Sequence, residues 1–323
     1  MTQALKNQLI TGIHHVTALA DGAQKNLDFY TGILGLRMVK KTINFDAPDV
    51  YHLYYGNEVG SPGTIMTFFP YEGLTKGRHG TGQMTVTSFS VSDRSLDYWV
   101  RRLKKFKIEH SQPQQRFGDE VFIYFEDVHG LGLELVFNQN DGRPAFTYGQ
   151  IPEEHALKGF YGVSLSEEGY ERTAGLLQEG LDHKLIGEIG NRFRYSASGV
   201  PGDFVDVLCT PDAKRGLSGS GTIHHLAFAT PSDQKQLEAR ERLVKLGFNV
   251  TPVLDRQYFH SIYFREPGGI LFEIATIPPG FAIDEEVSEL GESLKLPPWM
   301  ENSRKRISEG LEPISVQTEK FAD

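Results

Sequence analysis

The run Gly12-Ile13-His14-His15-Val16-Thr17-Ala18-Leu19-Ala20, "GIHHVTALA", has a late counterpart in Thr222-Ile223-His224-His225-Leu226-Ala227-Phe228-Ala229-Thr230, "TIHHLAFAT". Both put an Ile-His-His triplet at the head of an apolar run. Chance, a structural repeat and a shared metal site are the three explanations. The surrounding sequence favours a repeat. After the first copy, residues 23–34 place Leu27, Tyr30, Ile33 and Leu34 at helical spacing, and Gly35 stops that helix. "LRMVKKTIN", "VYHLYYGN" and "TIMTFFP" follow as three strand-like runs separated by Pro, Asp, Gly and Asn.

The order of strand, helix and three strands recurs. "GQMTVTSFSVS" opens a second unit, with a helix from Leu96 to Phe106 and closing strands in "EVFIYFEDV" and "LGLELVF". "GFYGVSLS" opens a third, which ends in "RFRYSAS" and "DFVDVLCT". Thr222 opens a fourth, with a helix from Ser232 to Leu246 and a last stretch "FHSIYFREPGGILFEIAT". Four βαβββ units of about 60–70 residues fill the chain, an α+β architecture. The expected organisation is a first domain over 9–138 with units one and two, a linker over 139–158, a second domain over 159–278 with units three and four, and a polar tail over 279–323. A four-stranded unit leaves its concave face open. Two units must pair to cover it, giving cupped, partly open barrels whose hollow suits a small ligand.

Alternation sorts the second triplet. Ile223, His225, Ala227 and Ala229 share one face, while His224, Leu226, Phe228 and Thr230 share the other. The alanine face leaves room in front of it, so His225 points to a cavity, and His15 is its repeat counterpart. In "PGGILFEIAT", Glu273 sits among Leu271, Phe272, Ile274 and Ala275. A buried carboxylate there is costly unless it is paired, protonated or bound to metal. Two imidazoles and one carboxylate with positions left open describe the facial triad of non-haem Fe(II) oxygenases. His15, His225 and Glu273 are therefore the candidate ligands. Units one and four must then face each other, leaving two and three to pair. Glu134 in "GLGLELVF" copies the position of Glu273 but has no histidine on its own first strand. His52, His79, His110, His129, His155 and His183 have no comparable context and read as structural or surface residues.

With 323 residues, 39% hydrophobic and 23% charged, the chain can bury a sizeable core. Its net charge of −9 argues against a nucleic-acid backbone as partner. Ser303-Arg304-Lys305-Arg306, flanked by Glu301 and Glu309, reads as a solvated helix face. The lone Cys209 permits no internal disulfide, which suits a reducing cytoplasm. The first ten residues lack the apolar core of a secretory signal, and no run approaches the length of a membrane helix. The expectation is a soluble cytoplasmic protein, compatible with a homo-oligomer, that contacts neither nucleic acid nor membrane.

The repeats resemble the vicinal-oxygen-chelate superfamily, which includes glyoxalase I, bleomycin resistance proteins, epimerases and type I extradiol dioxygenases. "GIHHVTALADGAQKNLDFYTGILGLRMVKKTINFD", "YHLYYGNEVGSPGTIMTFFP", "GTIHHLAFA" and "DRQYFHSIYFREPGGILFEIATIPPGF" are similar, more narrowly, to hydroquinone-type ring-cleaving dioxygenases. The resemblance spans nearly the whole chain. It implies Fe(II) held by His15, His225 and Glu273, with supporting roles for His14, His224, Thr17, Arg256 and Tyr263. It also implies a small hydroquinone or catechol-like substrate and insertion of both atoms of O2. Manganese, zinc or nickel would suit the same donors. A glyoxalase- or epimerase-type lyase or isomerase is the alternative on this fold, but such sites use a further carboxylate, and the matching position of unit one holds Thr67. A protein that sequesters aromatic compounds without turnover is the alternative of a different class. It would need no metal triad.

Overall fold

The structure is a computed structural model that describes residues 8–147 and 149–322; residues 1–7, on which part of the no-signal expectation rests, lie outside it. All four units are present. The first comprises β1 (Ile13–Ala20), α1 (Ala23–Leu27), β2 (Arg37–Asn44), β3 (Ala47–Gly56) and β4 (Ile65–Pro70). The second comprises β5 (Gln83–Val91), α2 (Leu96–Lys105), β6 (Gln114–Arg116), β7 (Glu120–Glu126) and β8 (Gly132–Phe137). The third comprises β9 (Gly159–Glu167), α3 (Glu171–Gly175), β10 (Lys184–Ile189), β11 (Arg192–Ser196) and β12 (Phe204–Cys209). The fourth comprises β13 (Thr222–Thr230), α4 (Asp233–Lys245), β14 (Leu254–Asp255), β15 (Phe259–Arg265) and β16 (Leu271–Pro279).

The first helix is shorter than its spacing predicts. After Leu27 it widens into a π-helical turn over Asp28–Ile33. The wider turn brings Phe29, Tyr30 and Ile33 all into the core, where none is more than 6% exposed.

Two eight-stranded sheets result, ordered β14-β15-β16-β13-β1-β4-β3-β2 and β10-β11-β12-β9-β5-β8-β7-β6. Unit one thus pairs with unit four, and unit two with unit three. Antiparallel pairing of β1 with β13 joins one sheet, and of β5 with β9 the other. Within each unit the first strand runs parallel to the last, as β1 with β4 and β13 with β16. Leu226, Phe228 and Phe272 are fully buried behind the sheet, as the alternation of β13 requires.

The chain changes sheet twice, and the two crossings lie side by side. Bridges join Lys76 to Ser220, Arg78 to Leu217 and Thr81 to Arg215. A Cβ on Gly80 would stand 2.0 Å from the Lys214 carbonyl oxygen, so only glycine lets these backbones approach. The C-terminal segment is more than a polar tail. Phe281, Leu290, Leu296, Ile307 and Leu311 are buried, and a short helix α5 (Arg304–Gly310) forms within it. Lys40, fully buried on β2, anchors this segment through Asp284 at 2.6 Å and through Glu285. Among the described residues, no helix is long and apolar enough to cross a membrane.

Where the two sheets abut, Glu167 at the end of β9 meets Glu266 in the β15–β16 turn, each 2% exposed. Glu266 accepts hydrogen bonds from Thr173 Oγ1 and Ile270 N, while Glu167 Oε1 has no partner among the described residues. Burial, then the charge of Glu266, pushes the Glu167 carboxyl up to about 8. The folded protein therefore keeps a proton that the unfolded chain releases above about pH 4.5, and this carboxyl's contribution to stability falls as pH rises from there to about 8. Buried histidines such as His14 and His224 titrate in the opposite sense, so the test is a comparison of thermal midpoints of the native chain and Glu167→Gln across this range. The native midpoint should fall relative to that of Glu167→Gln as pH rises, and equal slopes would contradict the assignment.

Candidate metal centre

β1, β13 and β16 bring the three candidate ligands together. His15 Nε2 and His225 Nε2 are 3.1 Å apart. Glu273 Oε2 lies 3.3 Å from the first and 3.0 Å from the second. Glu273 is fully buried, and its Oε2 accepts no aligned hydrogen bond from either ring. The three atoms converge as a set of donors around one point. Donors about 2.1 Å from a shared centre and about 90° apart would be separated by about 3.0 Å, so the triangle fits three ligands on one face of a six-coordinate cation. Among the described residues this is the one cluster of histidine, cysteine and acidic side chains with such convergence. Burial alone would raise the Glu273 pKa. The neighbouring imidazoles outweigh it and hold the carboxyl well below its usual range. Burial also lowers His225, which keeps that imidazole neutral, as ligation requires. Ser261 Oγ donates to the other carboxylate oxygen, Oε1.

The doubled histidines are explained by backbone register. Ile13 pairs with Phe228 and His15 with Ala227, so His14 is an extra residue opposite β13. Thr17 pairs with His225 and Ala18 with Ile223, so His224 is an extra residue opposite β1. These two β-bulges break strict alternation and let consecutive side chains meet. His14 Nδ1 lies 2.9 Å from His15 Nδ1, and His224 Nδ1 lies 2.7 Å from His225 Nδ1. Simple alternation aims His14 and His224 away from the ligand face; the bulges bring both back. Burial, then the adjacent histidine, lowers His14 and His224 to about 3, so both are neutral. A ligand that offers Nε2 to a metal keeps its proton on Nδ1, and the preceding histidine accepts it. That arrangement fixes each ligand's tautomer and ring orientation.

The triad forms one wall of a cavity of about 530 Å3. Arg256 and Tyr263 also line it: Arg256 donates from Nε to the Tyr263 hydroxyl at 3.2 Å and pairs with Asp46 at 3.2 Å. Phe259, Phe69 and Tyr54 add aromatic surface. Thr17 lies behind the cavity, fully buried and hydrogen-bonded to Thr67 at 2.9 Å. His52, which reads from sequence as structural or surface, lines the cavity instead. The signal was available in β3, where His52 and Tyr54 share a strand face by alternation. His260 points the other way and pairs with Asp233 at 2.6 Å, outside the cavity lining.

The chain matches the family described as the Glyoxalase/Bleomycin resistance protein/Dioxygenase superfamily over residues 12–135 and 156–274. It is 45% identical over 306 residues to "Putative ring-cleaving dioxygenase MhqO" of Bacillus subtilis (strain 168), covering 95% of this chain and 97% of the relative. It is 33% identical to the "Chlorohydroquinone/hydroquinone 1,2-dioxygenase" of Sphingobium indicum, covering 95% and 98%. A crystal structure titled as a putative dioxygenase from Bacillus subtilis superposes with a TM-score of 0.92 at 45% identity, covering 95% of this chain and 98% of that one.

Both halves match the family, yet the second cup lacks the donor set. By register, Glu134 beside Ser88 stands where Glu273 stands beside Ala227, and Val86 takes the place of His225. Gly162 takes the place of His15, and Asp206 that of Thr67. Cationic side chains occupy the centre instead. Arg116 grips both oxygens of Glu134 at 3.0 and 2.7 Å, and Arg194 grips Asp206 at 2.7 and 2.9 Å. Glu120 bridges the two arginines. Glu134 is thus held by a guanidinium rather than placed in a metal-binding cluster. Removing one partner of a buried pair strands the other charge, so Arg116→Ala should cost about 3–5 kcal/mol in urea unfolding. A loss under about 1 kcal/mol would mean that Glu134 is satisfied without it.

Proposed function

The chain belongs to the glyoxalase/bleomycin resistance protein/dioxygenase superfamily, and we propose that it is an Fe(II)-dependent ring-cleaving dioxygenase acting on a hydroquinone or related dihydroxyarene. The observation that carries this reading is the convergence of His15, His225 and Glu273, with an unpartnered carboxylate oxygen, on the wall of an aromatic cavity. The relatives named for ring cleavage, one of them for chlorohydroquinone and hydroquinone, support the reaction class. In this reading His15 Nε2, His225 Nε2 and Glu273 Oε2 hold the metal. When bound, Fe(II) supplies open positions for a phenolic oxygen and O2 and the redox change that couples them.

The chain's own residues do the rest. Phe259, Phe69 and Tyr54 pack a flat ring and keep water from it. Burial, then the Glu273 charge, raises the Tyr263 phenol above its usual range, so it stays protonated and donates to a substrate oxygen. Arg256, hydrogen-bonded to Tyr263, supplies fixed positive charge where negative charge builds up on the ring. His14 and His224 hold the ligand imidazoles in the tautomer that leaves Nε2 free. Both atoms of O2 enter the product as one ring bond is broken. A reducing cytoplasm, which keeps iron in the ferrous state, is the compartment this reading fits.

A lyase or isomerase of the glyoxalase type would call for a fourth protein ligand. The hydroxyl of Thr67, at the position where it would stand, is bonded to Thr17 and His52. That favours an open three-ligand site.

Two measurements test the proposal. His15→Ala, His225→Ala and Glu273→Ala should each abolish stoichiometric iron after ferrous loading, read by elemental analysis. Full iron retention in any one removes that residue from the ligand set. Anaerobically loaded protein should then consume O2 when given hydroquinone or catechol. Iron-replete protein that takes up no O2 with any dihydroxyarene would sink the dioxygenase reading.

A further inference from the structure

A hydrogen-bonded chain enters the cavity wall beside the triad. The Tyr54 hydroxyl lies 2.8 Å from His52 Nδ1. His52 Nε2 lies 2.8 Å from Thr67 Oγ1, and Thr67 Oγ1 lies 2.9 Å from Thr17 Oγ1. Burial holds His52 well below its usual pKa and keeps it neutral, so its ring carries a single N–H.

Each link holds one proton, so the chain has two polarities. In the first, Tyr54 donates to Nδ1, His52 donates from Nε2, Thr67 donates to Thr17, and the Thr17 hydroxyl hydrogen is left over. Thr17 is fully buried and has no other hydrogen-bonding partner among the described residues. In the second, Thr17 donates to Thr67, Thr67 donates to Nε2, and Nδ1–H donates to the phenol oxygen. The hydrogen left over is then that of Tyr54, which is 2% exposed but lines the cavity, where a ligand can meet it. Stranding a donor in the protein interior is the costlier outcome, so the second polarity prevails.

We propose that Tyr54 is a further substrate-contacting residue, donating its hydroxyl to an oxygen of the bound hydroxylated arene, and that His52 is its positioning residue in the Nδ1–H form. The contact rests on the substrate class proposed above; the polarity of the chain does not. Packing holds both rings in place. The His52 ring lies 4.0 Å from that of Tyr54 and 4.4 Å from that of Phe69. Phe281, from the C-terminal segment, meets Tyr54 edge-on at 5.0 Å.

The polarity is read by 15N NMR of the His52 ring, its signals assigned by their loss in His52→Gln. A protonated Nδ1 is expected, and a protonated Nε2 overturns the chain as drawn. The contact is read by anaerobic calorimetry of hydroquinone binding to Fe(II)-loaded protein. Tyr54→Phe should bind about tenfold more weakly with unchanged iron content. His52→Leu should weaken binding similarly, and His52→Asn, which keeps a donor near Nδ1, should recover most of it. Native binding that Tyr54→Phe leaves unchanged overturns the contact alone. Native protein that binds no dihydroxyarene overturns both the contact and the functional reading beneath it.

Discussion

The antiparallel junction of β1 with β13 is the constraint on which the rest of the molecule turns. Glu273 arrives beside that junction on β16 and is buried without an aligned hydrogen bond to its Oε2. Three electron-rich atoms buried within 3.3 Å of one another repel unless a cation or proton lies among them. The fold must keep this arrangement rigid. It does so with two bulges, each pressing a second histidine against the back of a triad imidazole, and with Ser261 fixing the other carboxylate oxygen, Oε1.

The second cup solves the same charge problem with protein atoms alone. Its carboxylates at the matching strand positions face guanidinium groups, which bring their own hydrogen bonds and leave no acceptor unfilled. The same scaffold thus carries a centre that calls for an external cation and one that is self-neutralised. The difference resides in which residues occupy the first and last strands of each unit, not in the architecture around them.

Much of this was legible in the sequence, for identifiable reasons. Strand periodicity and repeat order are one-dimensional properties, so the four units could be read directly. The pairing of unit one with unit four followed from the demand that His15, His225 and Glu273 meet. Three features were hidden. Bulges depend on cross-strand register, so alternation misdirected His14 and His224. His52 finds its partners Thr67 and Thr17 on neighbouring strands, contacts that no local pattern records. The packed C-terminal segment has widely spaced anchors, Phe281, Leu290, Leu296, Ile307 and Leu311, diluted by charged residues into an apparently polar stretch.

Each sheet takes one unit from the first half of the chain and one from the second. The halves are therefore interlocked, and neither contains a complete cup. The proposed ligands divide accordingly, His15 from one half and His225 with Glu273 from the other. A protein carrying only one half per chain could build the same cup only by exchanging units with a second copy. Covalent fusion removes the symmetry of such a pair, and with it the requirement that both cups stay alike. That freedom is what permits one cup to fill with arginines while the other keeps its histidines.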